Sequence, residues 1–290
     1  MSNLRARLSP MVLLCLAATW VIWGSTYLAI RFALRGLPPF FQMGSRFVVA
    51  GGLVLAWMRW RGALWPNWRQ WRHAAIVGSL LLVTGMGGTA VAEQTLPSGL
   101  VVAFVAVIPA LVSLFNLFAG VRPGRLELAG MAVGFIGVVL LTRGAAFHAS
   151  PTGLAAISLA VCSWALGSVL SQRSCPLAPG AMGYGSEMLV GGIFLLLISL
   201  AVGEHPQWPP EPLVWGSWLY LVICGSLLAF NAYMYLLDHS SAATASSYAF
   251  INPLIGLLLG TTLGGEMVSG DEWMAAGVIL AGVVLLLSGR

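Results

Sequence analysis

Ala242-Ala243-Thr244-Ala245-Ser246-Ser247-Tyr248-Ala249-Phe250-Ile251-Asn252-Pro253 is followed by an apolar run, then Gly265-Glu266, a short polar turn, and a second apolar run built on Gly277 and Gly282. The same grammar occurs earlier in the chain. From Ser98 to Gly144 the proline is Pro109 and the polar turn runs from Arg122 to Glu127. There Gly137-Val138-Val139-Leu140-Leu141 answers Gly282-Val283-Val284-Leu285-Leu286. The offsets are 253 − 109 = 144 and 282 − 137 = 145, so one residue inserted in the turn relates the two copies. Working outward, Gly24-Ser25 returns as Gly167-Ser168, Gly51-Gly52 as Gly191-Gly192, and Gly78-Ser79-Leu80-Leu81 as Gly225-Ser226-Leu227-Leu228. Each match alone is weak, but their common order marks a duplication into residues 1–145 and 146–290.

Composition states the solvent of the duplicated unit. With 59% hydrophobic residues and 8% charged ones, and a mean hydropathy of +0.90, a water-soluble fold would lack polar surface to cover itself. The partner is therefore a lipid bilayer. All 14 basic residues are arginine and they lie between apolar runs rather than in a stripe, which reads as membrane-flanking charge and against nucleic acid. Cys15, Cys162, Cys175 and Cys224 have no metal-ligand spacing and read as packing residues, so no cofactor or metal site is expected.

The first apolar run, 11–34, is too long for a signal-peptide core and reads as a retained helix. Further helices are expected near 39–57, 73–92, 98–119, 126–142, 151–171, 181–202, 215–237, 242–264 and 271–289. The result is an all-α membrane protein of ten transmembrane helices with short connections. With the N-terminus in the cytoplasm, Arg5, Arg7, Arg59, Arg61, Arg69, Arg72, Arg122, Arg125, Arg173 and Arg290 fall inside, and Arg31, Arg35 and Arg143 outside. That bias places both termini in the cytoplasm. An odd helix number in each half then inverts the second half, giving two inverted five-helix repeats around a central cavity.

Trp23-Gly24-Ser25-Thr26, Arg46-Phe47, the paired prolines, and Gly265-Glu266 followed by Trp273, Gly277 and Ala281-Gly282 resemble the drug/metabolite transporter superfamily, EamA type. The resemblance covers essentially the whole chain. It implies a secondary transporter of the bacterial inner membrane that moves small metabolites, such as amino acids, outward. The aromatic content is similar to that of the branch exporting aromatic and other neutral amino acids. One departure is that the first half has Val121-Arg122 where the second has Gly265-Glu266, so Glu266 reads as a structural cap.

Two charges fall well inside the expected helices, Arg46 and Glu187. A charge at mid-membrane normally faces a bundle interior or a watery cavity. Their depths differ by on the order of 11 Å, which argues against a direct ion pair. The functional reading is that they polarise the cavity, with Glu187 a candidate carrier for a coupling proton. The bland reading is that each snorkels or bonds a neighbouring carbonyl. Trp20, Trp23, Trp164 and Tyr248 stand beside Ser25, Ser168 and Asn252, which together would supply an apolar wall with polar handles. Asn231 and Tyr235 form an i, i+4 pair expected to face inward. Pro109 and Pro253 are expected as mid-helix hinges.

The substrate expected at this site is a neutral or aromatic amino acid, with export of drugs or other small metabolites as the alternative and the monomer as the working unit. Nucleotide sugars would call for several cavity cations, and only Arg46 qualifies. An intramembrane enzyme is disfavoured. His73, His148, His205 and His239 fall at helix ends or in loops, and Glu204-His205 and Asp238-His239 read as solvated segments.

Overall fold

The computed structural model describes residues 9–96, 101, 104–118, 120–142, 150–264 and 270–288. Arg5, Arg7, Arg143, His148, Arg290 and the Gly265-Glu266 segment lie outside them, as does Ser98 in the first connection. The described residues form α1 (Pro10–Ala33), α2 (Pro39–Trp60), α3 (Trp68–Glu93), α4 (Ile108–Phe118) and α5 (Arg125–Thr142). The second half supplies α6 (Pro151–Gln172), α7 (Ala181–Ala201), α8 (Pro212–His239), α9 (Tyr248–Gly264) and α10 (Gly270–Ser288), with a single turn at Ala242–Ala245 before α9. Of these, α1, α2, α3, α6, α7 and α8 are each long and apolar enough to cross a membrane.

Local chemistry fixes where the helices begin. Ser9 caps α1 and Ser150 caps α6, each followed by a proline whose missing N–H would have been an orphan in the first turn. Asn67 and Gln70 form a reciprocal capping box at α3. The start of α2 has Pro38 and Pro39 and takes its cap from far away in sequence: the Phe40 and Phe41 amides donate to the Glu204 carboxylate at 3.1 and 2.7 Å. Glu204, expected to be merely solvated, therefore neutralises a helix N-terminus. Beside it the Gln207 amide donates to the Gly36 carbonyl at 2.9 Å, tying the α7–α8 connection to the α1–α2 turn. Trp57, Trp60, Trp65 and Trp68 are exposed around the α2–α3 connection, as an interfacial belt requires.

Two boundaries differ from the sequence reading. The expected helix 98–119 is interrupted by a turn at Ala106–Val107, so Pro109 stands in the first turn of α4 rather than in mid-helix. The expected helix 242–264 is broken at Ser246–Ser247, and Pro253 lies inside the segment that follows. At the second break the backbone tightens to i→i−3 spacing, with the Ser247 amide on the Thr244 carbonyl and the Ala249 and Phe250 amides on the Ser246 and Ser247 carbonyls, and the Ser247 hydroxyl receives the Trp20 indole N–H from α1. α3 and α8 each carry a widened π-type stretch, Ser79–Gly87 and Leu221–Phe230, which begins within the recurring Gly-Ser-Leu-Leu motif in α3 and encloses it in α8. Such stretches shift the register of everything after them.

Glycines bring α2 against α7 and α5 against α10. A methyl group added at Gly44 would stand 2.8 Å from the Leu196 amide nitrogen, and one at Gly51 only 2.5 Å from that of Leu189. Later residues of α2 thus meet earlier residues of α7, so the two run antiparallel. The contact is reciprocal, since a methyl at Gly192 would stand 2.9 Å from the Gly44 carbonyl. On the other pair Gly130 abuts Leu286, while Gly137 faces Ile279 and Ala275, again antiparallel. Backbones approach this closely in lipid because dispersion, rather than water exclusion, holds the helices together.

Candidate functional site

Between α1, α3, α4, α6 and α9 lies a narrow cavity with about 490 Å³ of unfilled space including its mouth, of which water centres can occupy about 50 Å³. Its polar and aromatic lining is Trp23, Thr26, Tyr27, Thr89, Trp164, Tyr248 and Asn252, and the remainder is apolar apart from Gly85. The space suits a few waters, so a larger solute enters only as side chains shift.

The aromatic wall is held from behind. Trp23 donates its Nε1–H to the Gly225 carbonyl in the π stretch of α8 at 3.3 Å. Its ring centroid lies 4.6 Å from Tyr248, 5.0 Å from Tyr233 and 5.6 Å from Trp164. Trp164 donates its Nε1–H to the Tyr233 hydroxyl at 3.2 Å, and Ser168 gives its single proton to the Trp164 carbonyl at 2.7 Å. The Tyr233 hydroxyl, 2.6 Å from Ser168 Oγ, must then be the donor to it. These bonds fix the Trp164 and Tyr233 rings, of which Trp164 lines the cavity and Tyr233 stands behind it.

Asn252 is the opposite case. It is 1% exposed and lines the cavity, and neither its Oδ1 nor its Nδ2 makes a hydrogen bond of good geometry, although the Tyr27 hydroxyl lies beside it. A buried amide left so is expensive, and native proteins tolerate one where a bound molecule completes it.

Of the residues singled out from sequence, Trp23, Trp164, Tyr248 and Asn252 come together on this cavity, and Ser168 stands directly behind it. The others are placed elsewhere. Trp20 donates to Ser247 Oγ at 3.0 Å, pinning α1 to the break before α9. Ser25 is 2.6 Å from the Tyr220 hydroxyl of α8. Asn231 donates to the Leu227 carbonyl at 2.8 Å within the π stretch, and Tyr235 stacks on His239 at 3.9 Å near the end of α8. Arg46 is 1% exposed, with its Nε–H on Ser226 Oγ at 2.6 Å and its guanidinium carbon 4.8 Å from the Phe47 ring centroid. It packs over Gly225, on the same π turn that receives Trp23.

Glu187 is fully buried, and neither carboxylate oxygen has a hydrogen-bond partner. Its side chain packs beside Gly78 of α3, and its charge reaches Tyr184 and Tyr233. The Glu187→Gln variant is expected to change transport rate or its dependence on pH, whereas Glu211→Gln on the exposed loop leaves both unchanged. Wild-type rates at every pH for Glu187→Gln would remove this carboxylate from the mechanism.

Sequence reasoning did not include Thr26, Tyr27, Thr89, Tyr233 or Glu93 among the site residues. Glu93 escaped because α3 was expected to end one residue earlier; both its oxygens are buried without a hydrogen-bond partner. The signal that would have found Thr89 and Glu93 is their i, i+4 spacing on one helix face.

A bundle of membrane-length apolar helices around an aromatic cavity with an unsatisfied polar wall is the form of a multi-pass membrane transporter. The chain belongs to the EamA-like transporter family of the drug/metabolite transporter superfamily, which it matches twice, over residues 9–143 and 151–288. It is 41% identical over 276 residues to the "Uncharacterized inner membrane transporter YedA" of Escherichia coli (strain K12), covering 95% of this chain and 90% of that protein. It is also 27% identical over 270 residues to Protein PecM of Dickeya dadantii (strain 3937), covering 92% of this chain and 86% of that one. A crystal structure with 23% identity superposes with a TM-score of 0.79, covering 96% of this chain and 97% of the other, a likeness of fold.

Proposed function

We propose that this protein exports neutral amino acids, aromatic ones included, across the bacterial inner membrane by alternating access. The observation that carries the reading is the cavity itself. Three fixed aromatic rings, Trp23, Trp164 and Tyr248, stand beside a buried amide that makes no hydrogen bond of good geometry, Asn252. The rings suit an apolar side chain and attract an ammonium, and the amide can both donate to a carboxylate and accept from an ammonium. The inner-membrane location rests on the likeness to the Escherichia coli protein of that name.

The mechanism assigned here has residues 1–145 and 146–290 as two inverted five-helix repeats that rock about the midplane. Its support is the double family match and the antiparallel packing of α2 on α7 and of α5 on α10, which are corresponding helices of the two halves. An antiparallel contact between equivalents implies a pseudo-twofold axis across the helices, in the plane of the membrane. Pro253 inside α9 and the turn before α4 are the proposed hinges. A monomer coupled to proton movement completes the proposal, with Arg46 and Glu187 setting the field around the path rather than touching the solute.

Purified protein in liposomes loaded with labelled phenylalanine, threonine or methionine should speed their passage relative to empty liposomes. Unlabelled amino acids should compete and sugars should not. If none of the three moves while another metabolite does, the substrate assignment is lost. Topology has its own check. In a background lacking the four native cysteines, a cysteine at Gln207 should label with an impermeant thiol reagent from outside and one at Asn67 should not; the reverse pattern overturns the cytoplasmic termini.

A further inference from the structure

Glu93 has no part in the amino-acid site described above and is not on the cavity lining, but it stands one turn of α3 beyond it. It follows Thr89 by four residues on α3, so the two occupy one helix face, and Thr89 lines the cavity. Tyr27, also on the lining, feels the charge of Glu93 directly. Arg31, exposed one turn further along α1, is a basic group whose charge reaches the carboxylate. No hydrogen bond accompanies it, since both Glu93 oxygens are out of water and without a partner. Asn252, across the same space, is 1% exposed and makes no hydrogen bond of good geometry, with the Tyr27 hydroxyl beside it. A buried carboxylate one helical turn beyond the lining, an acceptor only, and an amide on the lining, both donor and acceptor, describe a ligand with a strong donor at one end and an acceptor toward the other.

We propose that Glu93 is a recognition subsite for a primary ammonium group, accepting its N–H bonds one turn of α3 beyond Thr89 while the Trp23, Trp164 and Tyr248 rings hold the attached apolar group. This rests on the reading of the cavity as the substrate site and specifies which end of the solute lies where. The ammonium sits between Glu93 and Tyr27, and the carboxylate of an amino acid turns to the Asn252 amide. A charge-assisted pair in this dry setting makes the ammonium the feature selected, and the carboxylate a secondary one. Compounds carrying an amine without a carboxylate are accordingly the stronger ligands, and those carrying a carboxylate without an amine bind weakly, through the rings and the Asn252 amide alone.

The test uses the full-length protein in detergent and follows its intrinsic tryptophan fluorescence, since Trp23 and Trp164 border the cavity. The probes are phenylalanine, phenethylamine and 3-phenylpropionate. The wild type should bind the first two and discriminate against 3-phenylpropionate by at least about tenfold. Glu93→Gln should abolish that discrimination while 3-phenylpropionate binding stays as it was, and Glu93→Asp should restore most of it. Because 3-phenylpropionate binding reports an intact cavity in the same sample, a misfolded variant is recognised by losing all three, and the Glu93→Asp series then decides. If Glu93→Gln retains the wild-type preference for amines, or if the wild type shows none, the subsite is overturned. Should phenethylamine bind in a Glu93-dependent way while phenylalanine does not, the subsite stands and the amino-acid reading fails.

Discussion

Tyr248→Leu slows phenylalanine flux into or out of proteoliposomes by tenfold or more, and Tyr248→Phe stays within about twofold of the parent. Tyr248 is 3% exposed and opens α9 immediately after the Ser246–Ser247 break, so its ring is delivered to the cavity by the backbone rather than by a long flexible side chain. It meets Trp23 edge to face at 4.6 Å and Tyr233 at 5.6 Å. Leucine fills part of the volume but has no quadrupole, so it forfeits the aromatic contacts and any attraction to an ammonium. Each is worth about 0.5–2 kcal/mol and they act on one ligand. Phenylalanine keeps both. Trp57→Leu, on the exposed belt, is the control and should leave flux unchanged. Equal flux for Tyr248→Leu and wild type would show that the ring does not meet the solute.

The second large effect separates two adjacent glycines. A methyl at Gly51 would stand 2.5 Å from the Leu189 amide nitrogen and 2.8 Å from the Gly185 carbonyl, whereas one at Gly52 would meet nothing within 4 Å. Backbone atoms of α7 cannot step aside as a side chain can. Gly51→Leu must therefore push α2 away from α7 and is expected to destabilise by about 3 kcal/mol or more. Gly52→Leu points into open space and gains helix propensity, so it is expected to be neutral or slightly stabilising. Thermal unfolding and monodispersity in detergent report both. Similar behaviour of the two variants would mean that the α2–α7 crossing is not packed as described.

What the sequence conveyed follows from what hydropathy can and cannot encode. Apolar length located the helices, and the spaced glycines announced close packing before their partners were visible. Trp23, Trp164, Tyr248 and Asn252 stand out in the sequence as aromatic and polar residues inside apolar runs, and the structure brings those four to one cavity. Faces were not legible. When a helix is apolar all round, periodicity no longer separates the cavity side from the lipid side, and the π stretches in α3 and α8 shift the phase further. Asn231 and Tyr235, four residues apart in the α-helical end of α8, still have different partners, because the Asn231 amide turns back onto the Leu227 carbonyl of the π stretch while Tyr235 stacks forward on His239. Glu204 was unreadable for another reason. Its partners, the amides of Phe40 and Phe41, lie more than 160 residues away, and capping rules operate only on neighbours.

The reciprocal glycine seam between α2 and α7 has an evolutionary corollary. A surface that pairs with its own copy must present each charge twice, once from either side of the axis, so a buried carboxylate would face its twin. Covalent fusion of the copies lifts that restriction. At offset 140 the counterpart of Glu187 is Phe47, the ring on which Arg46 lies. One member of the pair has become ionisable and the other has remained apolar, and only a single chain encoding both can keep them different. In the proposed inverted-repeat mechanism, symmetry is the scaffold for assembling the bundle, and the departures from it are where a direction of transport enters.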